Sequence, residues 1–298
     1  MGRTIGVWSA EHIAVGLVED GRVTGPLCAY PRDPHDLDAL QRMPSETIVH
    51  SICQQINEAR QGAAVVAIGV GFPGIIIGGI VEESPNLKQV KGFHLQEALS
   101  AELRETNVDA PVLVVNDGDA MAAGIASTRG QLDKLVRVWT LGDGIGFGRY
   151  PRTEGVWEGG HCVVSLDRKE HYCGCGGQGH LEGIMGNRSM RLRFLDREPE
   201  EVFEAAKGGD ARCSDFVRIW HRALAAATAT SIHMDGGGKF FIGGPNASFL
   251  DIGLLNDYVH DMVKMSPLQS YGFEVFTSSD EIGVIGAALS AQRAALVH

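Results

Sequence analysis

Positive charge is scarce in this sequence. Its 298 residues carry 26 Lys and Arg against 37 Asp and Glu, a formal net charge of −11. A binder of duplex nucleic acid needs a basic face to displace counterions from phosphates, so no nucleic-acid partner is expected. Long apolar runs are also missing. None approaches the roughly 20 residues that cross a bilayer, and MGRTIGVWSAEHIAVG has no apolar core followed by a small-residue cleavage site. The expectation is a cytoplasmic protein with no membrane partner. Cysteine is sparse: six residues are too few and too widely spaced for the disulfide scaffold of a small secreted domain. Cys28, Cys53 and Cys213 read as buried small hydrophobes. No fixed-period repeat or low-complexity tract occurs, and no helix-turn-helix pattern precedes the first strand pattern, which argues against a DNA-binding regulator.

Glycine, by contrast, is abundant: 39 of 298 residues, against a typical share of about 7%. The glycines cluster in short runs after strand patterns, which points to loops where backbone approaches a ligand. The strands read as TIGVW, IAVGLVED and RVTGPLCAY, with a hairpin turn at Glu19–Arg22. SETIVHSICQQINEAR has apolar residues at helical spacing, with Ser45 as the expected N-cap. AVVAIGVGF and APVLVVND read as buried strands flanking the helix LQEALSAELRET. This order predicts a mixed sheet with helices on its faces. The second half begins similarly with LVRVWTLGDGIGFGRY, then the long helix DFVRIWHRALAAATATSIHMD, the strand GKFFIGG and the helix DEIGVIGAALSAQRAALV. The fold class expected is α/β in two related lobes with a cleft between them. The first lobe is expected over 1–117 plus 281–298 and the second over 118–280.

Three stretches carry candidate chemistry. VLVVND delivers Asn116 and Asp117 to a strand end, where open α/β sheets bind ligands. A carboxylate there suits a general base acting on a hydroxyl; the alternative is a cap for the following helix, a role Asp119 could share. WEGGH sets Glu158 three residues before His161, a pair suited to a polyol or simply to a solvated turn. EHYCGCGGQGHLEG completes, with His161, an array of His161, Cys173, Cys175 and His180. Four such donors match a closed tetrahedral zinc site. A C-x-C pair is too tight for an unstrained disulfide, and a redox motif is more often C-x-x-C. His171 is a substitute ligand.

These motifs together resemble the ROK family of sugar kinases and repressors, nearly end to end. The matching stretches are GVGFPGIIIGGIVEESPNL, VVNDGDAMA, LGDGIGFG, EGGH, CGCGGQGHLEG, IGGP and IGVIGAAL. The resemblance implies two actin-like lobes and transfer of the ATP γ-phosphoryl to a sugar hydroxyl. By position it makes Asp117 the general base, and Asn116, Glu158, His161 and Glu182 the sugar ligands. It makes His161, Cys173, Cys175 and His180 the holders of a structural zinc, with His180 where the family has a third cysteine. It places Gly142, Gly144, Gly146, Gly243 and Gly244 beside Mg·ATP, and implies a homodimer.

The phosphate side departs from the family pattern. Where the family has D-x-G-G-T, Trp8 stands at the aspartate and Ser9–His12 cover the loop. Asp143 replaces the threonine of the second loop. At an effective dielectric near 20, a carboxylate about 4 Å from a phosphate oxygen costs about 4 kcal/mol. Glu11 and Asp143 therefore read as obstacles to phosphate, unless they bind Mg²⁺. A sugar kinase is the first reading. A sugar-binding regulator without phosphotransfer is the second, and a different reaction on a sugar is the third.

Overall fold

The computed structural model describes residues 2–10, 12–33, 39–85, 87–153 and 155–296. The chain forms two compact units, Met1–Val136 with Gly148–Val156 and Ser278–His298, and Arg137–Phe147 with Trp157–Thr277.

In the first unit the chain runs β1 (Thr4–Ser9), β2 (Ile13–Glu19), β3 (Arg22–Tyr30), α1 (Ser45–Arg60), β4 (Ala67–Phe72), β5 (Ile75–Ile77), β6 (Ile80–Glu83), α2 (Leu95–Glu105), β7 (Val112–Asn116) and α3 (Asp117–Thr128). Five strands form a mixed sheet in the order β3-β2-β1-β4-β7. β1 is antiparallel to β2 and parallel to β4, and β4 is parallel to β7. The two-residue period of a strand sorts β1 by face. Ile5 and Val7 join Ile48 and Ile52 of α1 in one core. Each such side chain removed from water contributes about 1.5–3 kcal/mol. β5 and β6 pair as a separate hairpin.

The second unit contains β8 (Val136–Leu141), β9 (Ile145–Tyr150), α4 (Leu181–Met185), α5 (Asn187–Arg193), α6 (Pro199–Lys207), α7 (Ala211–Asp235), β10 (Gly238–Gly243), α8 (Ile252–Met262) and β11 (Tyr271–Val275). β9 carries the chain back to the first unit. The sheet order is β11-β10-β8-β9. Trp220 and Leu224 of α7 are buried with Trp139, Phe240 and Ile242 of the strands.

The chain ends in the first unit with α9 (Asp280–Ala295). α9 lies directly on strand backbone: a Cβ at Gly6 would sit 1.9 Å from the Val284 carbonyl oxygen, and one at Gly69 would sit 1.8 Å from that of Ala287. These glycines serve close packing, not a ligand loop. α3 also belongs here, because Gly286 of α9 lets the two helix backbones touch at Ala120. The division therefore falls at Val136, whereas the sequence pattern suggests a boundary after Asp117. Ser45 is not the cap of α1. It is the first helical residue, Pro44 precedes it, and its hydroxyl donates to the Gln89 carbonyl at 2.9 Å.

Candidate functional site

Because β1, β4 and β7 are parallel, their carboxyl ends lie along one edge of the sheet. Asn116 closes β7 there. Its Oδ1 accepts from the backbone N–H of Gly118 at 2.8 Å and of Asp119 at 3.3 Å, and its Nδ2 donates to the Gly74 carbonyl at 2.9 Å. Asn116 is therefore the N-cap of α3 and straps it to the loop after β4. The capping alternative holds for Asn116, and it fixes Asp117 as the first helical residue. Asp119 accepts from the Arg149 N–H at 3.0 Å.

At the same edge, the Trp8 ring is wedged against glycine. A Cβ at Gly283 would lie 2.3 Å from Trp8 Cγ, and one at Gly71 would lie 3.3 Å from its Cδ1. The indole N–H is buried with no hydrogen-bond partner among the described residues. His12 Nε2 sits 2.8 Å from Asp280 Oδ2, and its ring is edge-on to Trp8. Trp8 stands here where the family pattern has an aspartate, and an indole, unlike a carboxylate, offers no oxygen ligand to Mg²⁺. Glu11 lies outside the described residues.

In the second unit, two glycine segments meet. The turn Gly142–Gly144 joins β8 to β9, with Gly146 as the second residue of β9, and Gly142 N–H donates to the Gly144 carbonyl at 3.1 Å. Gly243 ends β10, and Gly244, at φ +89°, packs so closely that a Cβ would lie 2.4 Å from the Leu141 carbonyl oxygen. A buried amide pair lies beneath: Asn246 Nδ2 donates to Asn187 Oδ1 at 2.6 Å and to the Gly142 carbonyl at 3.5 Å. Asn187 N–H also donates to Gly142, at 3.1 Å. The carboxylate of Asp143 is not isolated. Arg191 Nη1 is 3.6 Å from it, while Arg191 Nε donates to Glu198 at 2.7 Å. Sequence reading finds neither Arg191 nor the Asn187–Asn246 pair, since their partners lie far along the chain.

The cysteine hairpin folds His161, Cys173, Cys175 and His180 together, with all four ligand atoms within 4.8 Å of one another. Cys173 Sγ lies 3.4 Å from His161 Nδ1 and 3.3 Å from Cys175 Sγ, and Cys175 Sγ lies 3.2 Å from His180 Nδ1. A tetrahedron with bonds of about 2.0–2.3 Å has edges of about 3.3–3.8 Å, so the donor set fits zinc. Burial lowers the His180 pKa, with His161 adding to the effect and Glu182 opposing it. Neutral imidazole is the form that binds metal. Burial pushes the Cys173 thiol up to about 12, a tendency that a bound cation reverses. Gly177 makes room, since a Cβ would lie 2.0 Å from His180 Cε1. His171 is not in the cluster; it stacks on Tyr172.

Glu182 leads from this cluster to the glycine turn. Cys173 Sγ lies 3.6 Å from its Oε1, and the Ile145 N–H donates to its Oε2 at 3.2 Å. Glu158 immediately precedes the short helical turn Gly159–His161. It is exposed along one side, yet the protein packed on the other raises its carboxyl pKa; His161 opposes the rise and Glu182 adds to it.

A family model described as the ROK family matches residues 33–294. The chain belongs to the ROK family. It is 31% identical to a glucokinase of Pyrobaculum calidifontis over 191 residues, 59% of this chain and 62% of that protein. It is 30% identical to a glucokinase of Streptomyces coelicolor over 218 residues, 70% of this chain and 63% of that protein. The chain thus spans a little under two thirds of the length of these curated relatives. A ROK hexokinase from Thermus thermophilus shares the fold, with a TM-score of 0.78 at 21% identity over 99% of this chain and all of that one. A ROK glucokinase from Streptomyces griseus, solved with glucose and AMPPNP, gives 0.64 at 26% identity over 98% of this chain and all of that one. Both likenesses agree with mixed α/β units of the actin-like type. No helix among the described residues is long and apolar enough to cross a membrane.

Proposed function

We propose that this ROK protein is a sugar kinase that transfers the ATP γ-phosphoryl to a hydroxyl of a hexose, an amino sugar or a similar polyol, with glucose the first substrate to test. The carrying observation is the capped end of β7, where Asn116 fixes Asp117 at the start of α3. Asp117 acts as the general base, taking the proton from the attacking hydroxyl as the oxygen–phosphorus bond forms. Asn116, Glu158, His161 and Glu182 are the sugar-binding residues of this reading. Glu158 and Glu182 accept from hydroxyls, and His161 offers a ring nitrogen. Gly142, Gly144, Gly146, Gly243 and Gly244 present backbone to Mg·ATP, in the two segments that the Asn187–Asn246 pair ties together. His161, Cys173, Cys175 and His180 would hold a zinc ion whose work is to fix the hairpin. The names of the glucokinase relatives, and the glucose and AMPPNP of the Streptomyces griseus structure, support the substrate pair. A cytoplasmic homodimer completes the reading.

Calorimetric titration with glucose and Mg·ATP, beside a coupled turnover assay, tests it. The wild type is expected to bind both and turn over, while Asp117→Asn loses about 10²–10⁴-fold in kcat and keeps its glucose affinity. Unchanged turnover in the variant removes Asp117 from the mechanism. Sugar binding with no nucleotide binding favours the regulator instead, a reading that the Trp8 wedge would explain.

A further inference from the structure

We propose that Arg191 is a phosphate-binding residue for the donor, poised beside the glycine turn by two carboxylates. The inference rests on the kinase reading and adds to it a residue outside every glycine motif.

The local geometry holds the guanidinium by one edge. α5 is pinned to the turn at its first residue, through the Asn187 N–H to Gly142, and Gly186 before it packs so closely that a Cβ would lie 2.7 Å from the Asp143 carbonyl oxygen. Helical side chains lean toward the helix N-terminus. Arg191, four residues after Asn187, therefore reaches back to the turn. Its Nε donates to Glu198 at 2.7 Å. Glu198 is itself fixed, since its backbone N–H donates to Glu201 in the capping box of α6. Across the guanidinium, Nη1 faces Asp143 at 3.6 Å, an ion-pair distance longer than a hydrogen bond. Arg191 is thus anchored along Nε and presents its Nη side to the turn, half exposed and within reach of solvent.

The chemistry of the turn requires such a cation. Asp143 puts a negative charge where a phosphate would sit, and its carboxylate is 84% exposed, so it is weakly held. A guanidinium offers paired donors that match phosphate oxygens, and a doubly charged phosphate competes well against one solvated carboxylate. Asp143 then serves as a placeholder: it keeps the Nη side at the turn until phosphate replaces it. Glu198 holds it at Nε, and the charge of Glu200 adds to the acidic surroundings of Arg191.

The test uses three probes, Mg·ATP, Mg·tripolyphosphate and adenosine, titrated against the whole 298-residue chain, with glucose as a control. Arg191→Ala is expected to weaken ATP and tripolyphosphate at least about tenfold, to leave adenosine and glucose within about twofold, and to raise KM for ATP more than it lowers kcat. Arg191→Lys should recover part of the loss, and Asp143→Asn should tighten both phosphate ligands. Equal weakening of adenosine, or unchanged affinity for all three, overturns the assignment while leaving the kinase reading intact if the wild type still turns over. A wild type that binds neither ATP nor tripolyphosphate removes the kinase reading, and the Arg191 site with it.

Discussion

At the scale of single residues, Trp8 and Gly283 form one unit. The ring occupies the volume that a side chain at 283 would need, since a Cβ there would lie 2.3 Å from Cγ and 2.5 Å from Cδ1. The half-buried Trp8 ring packs against Gly283 on one side and Gly71 on another. Gly283→Ala is therefore expected to destabilise the protein by about 1–3 kcal/mol, the usual range for overpacking. Urea denaturation reads the loss. Trp8→Ala in the Gly283→Ala background should return part of it, because the two substitutions share one space. Fully additive losses would show that the ring accommodates the methyl by moving.

Among elements, His221 links α7 to the start of α8. Its Nδ1–H donates to the Val217 carbonyl at 2.8 Å, and its Nε2 accepts from the Asp251 N–H at 2.9 Å, which fixes the neutral tautomer. Burial lowers its pKa from the ordinary 6.5; the Val217 hydrogen bond and the Asp251 charge oppose that shift. The unfolded chain then binds a proton more readily than the folded one. His221 therefore contributes stability that is fully present above about pH 6.5 and is lost as pH falls through the lower folded value. Urea midpoints measured between pH 7.5 and 5 should decline on the acid side, by at most about 1.4 kcal/mol per pH unit from this group. His221→Gln should flatten that portion, and an equal slope in the variant would assign it to other groups.

The same scale shows what the sequence discloses and what it does not. The five strands of the first sheet, β8, β9 and β10 of the second, the Asn116–Asp117 terminus and the four-ligand hairpin are legible because their signals are local: alternation, a cap, ligands within twenty residues. The hairpin of β5 and β6, the edge strand β11 and the helices α6 and α8 are short or polar and carry no comparable pattern. Ser45 has the composition of a cap, but a carbonyl forty-four residues away takes its hydroxyl. Arg191 lies forty-eight residues beyond Asp143, so the acid reads in sequence as an unopposed charge.

For the molecule as a whole, a metal held by the cysteine hairpin would join ligand binding to stability. Zinc bound to the native hairpin and not to the unfolded chain would stabilise the second unit by mass action, by about 4 kcal/mol at a thousandfold excess over Kd. Metal analysis of the purified protein is expected to give one zinc per chain. Chelation or Cys175→Ser should remove it and lower the thermal midpoint. Glu182 spans from Cys173 to the Ile145 N–H, so amide hydrogen exchange at Ile145 should accelerate on metal loss. A protein that purifies without metal, or an Ile145 amide indifferent to chelation, would separate the hairpin from the turn.

The contact of α9 with β1 and β4 bears on how such a chain can change over generations. Helix carbonyls rest on strand backbone at Gly6 and Gly69, with no side chains between them. Side-chain interfaces drift by paired exchanges, a larger group here for a smaller one there. An interface of backbone on backbone has no such currency: neither partner can grow, and no compensating shrinkage is available. The last helix and the first strand are therefore bound to a joint history, although 270 residues separate them in the chain.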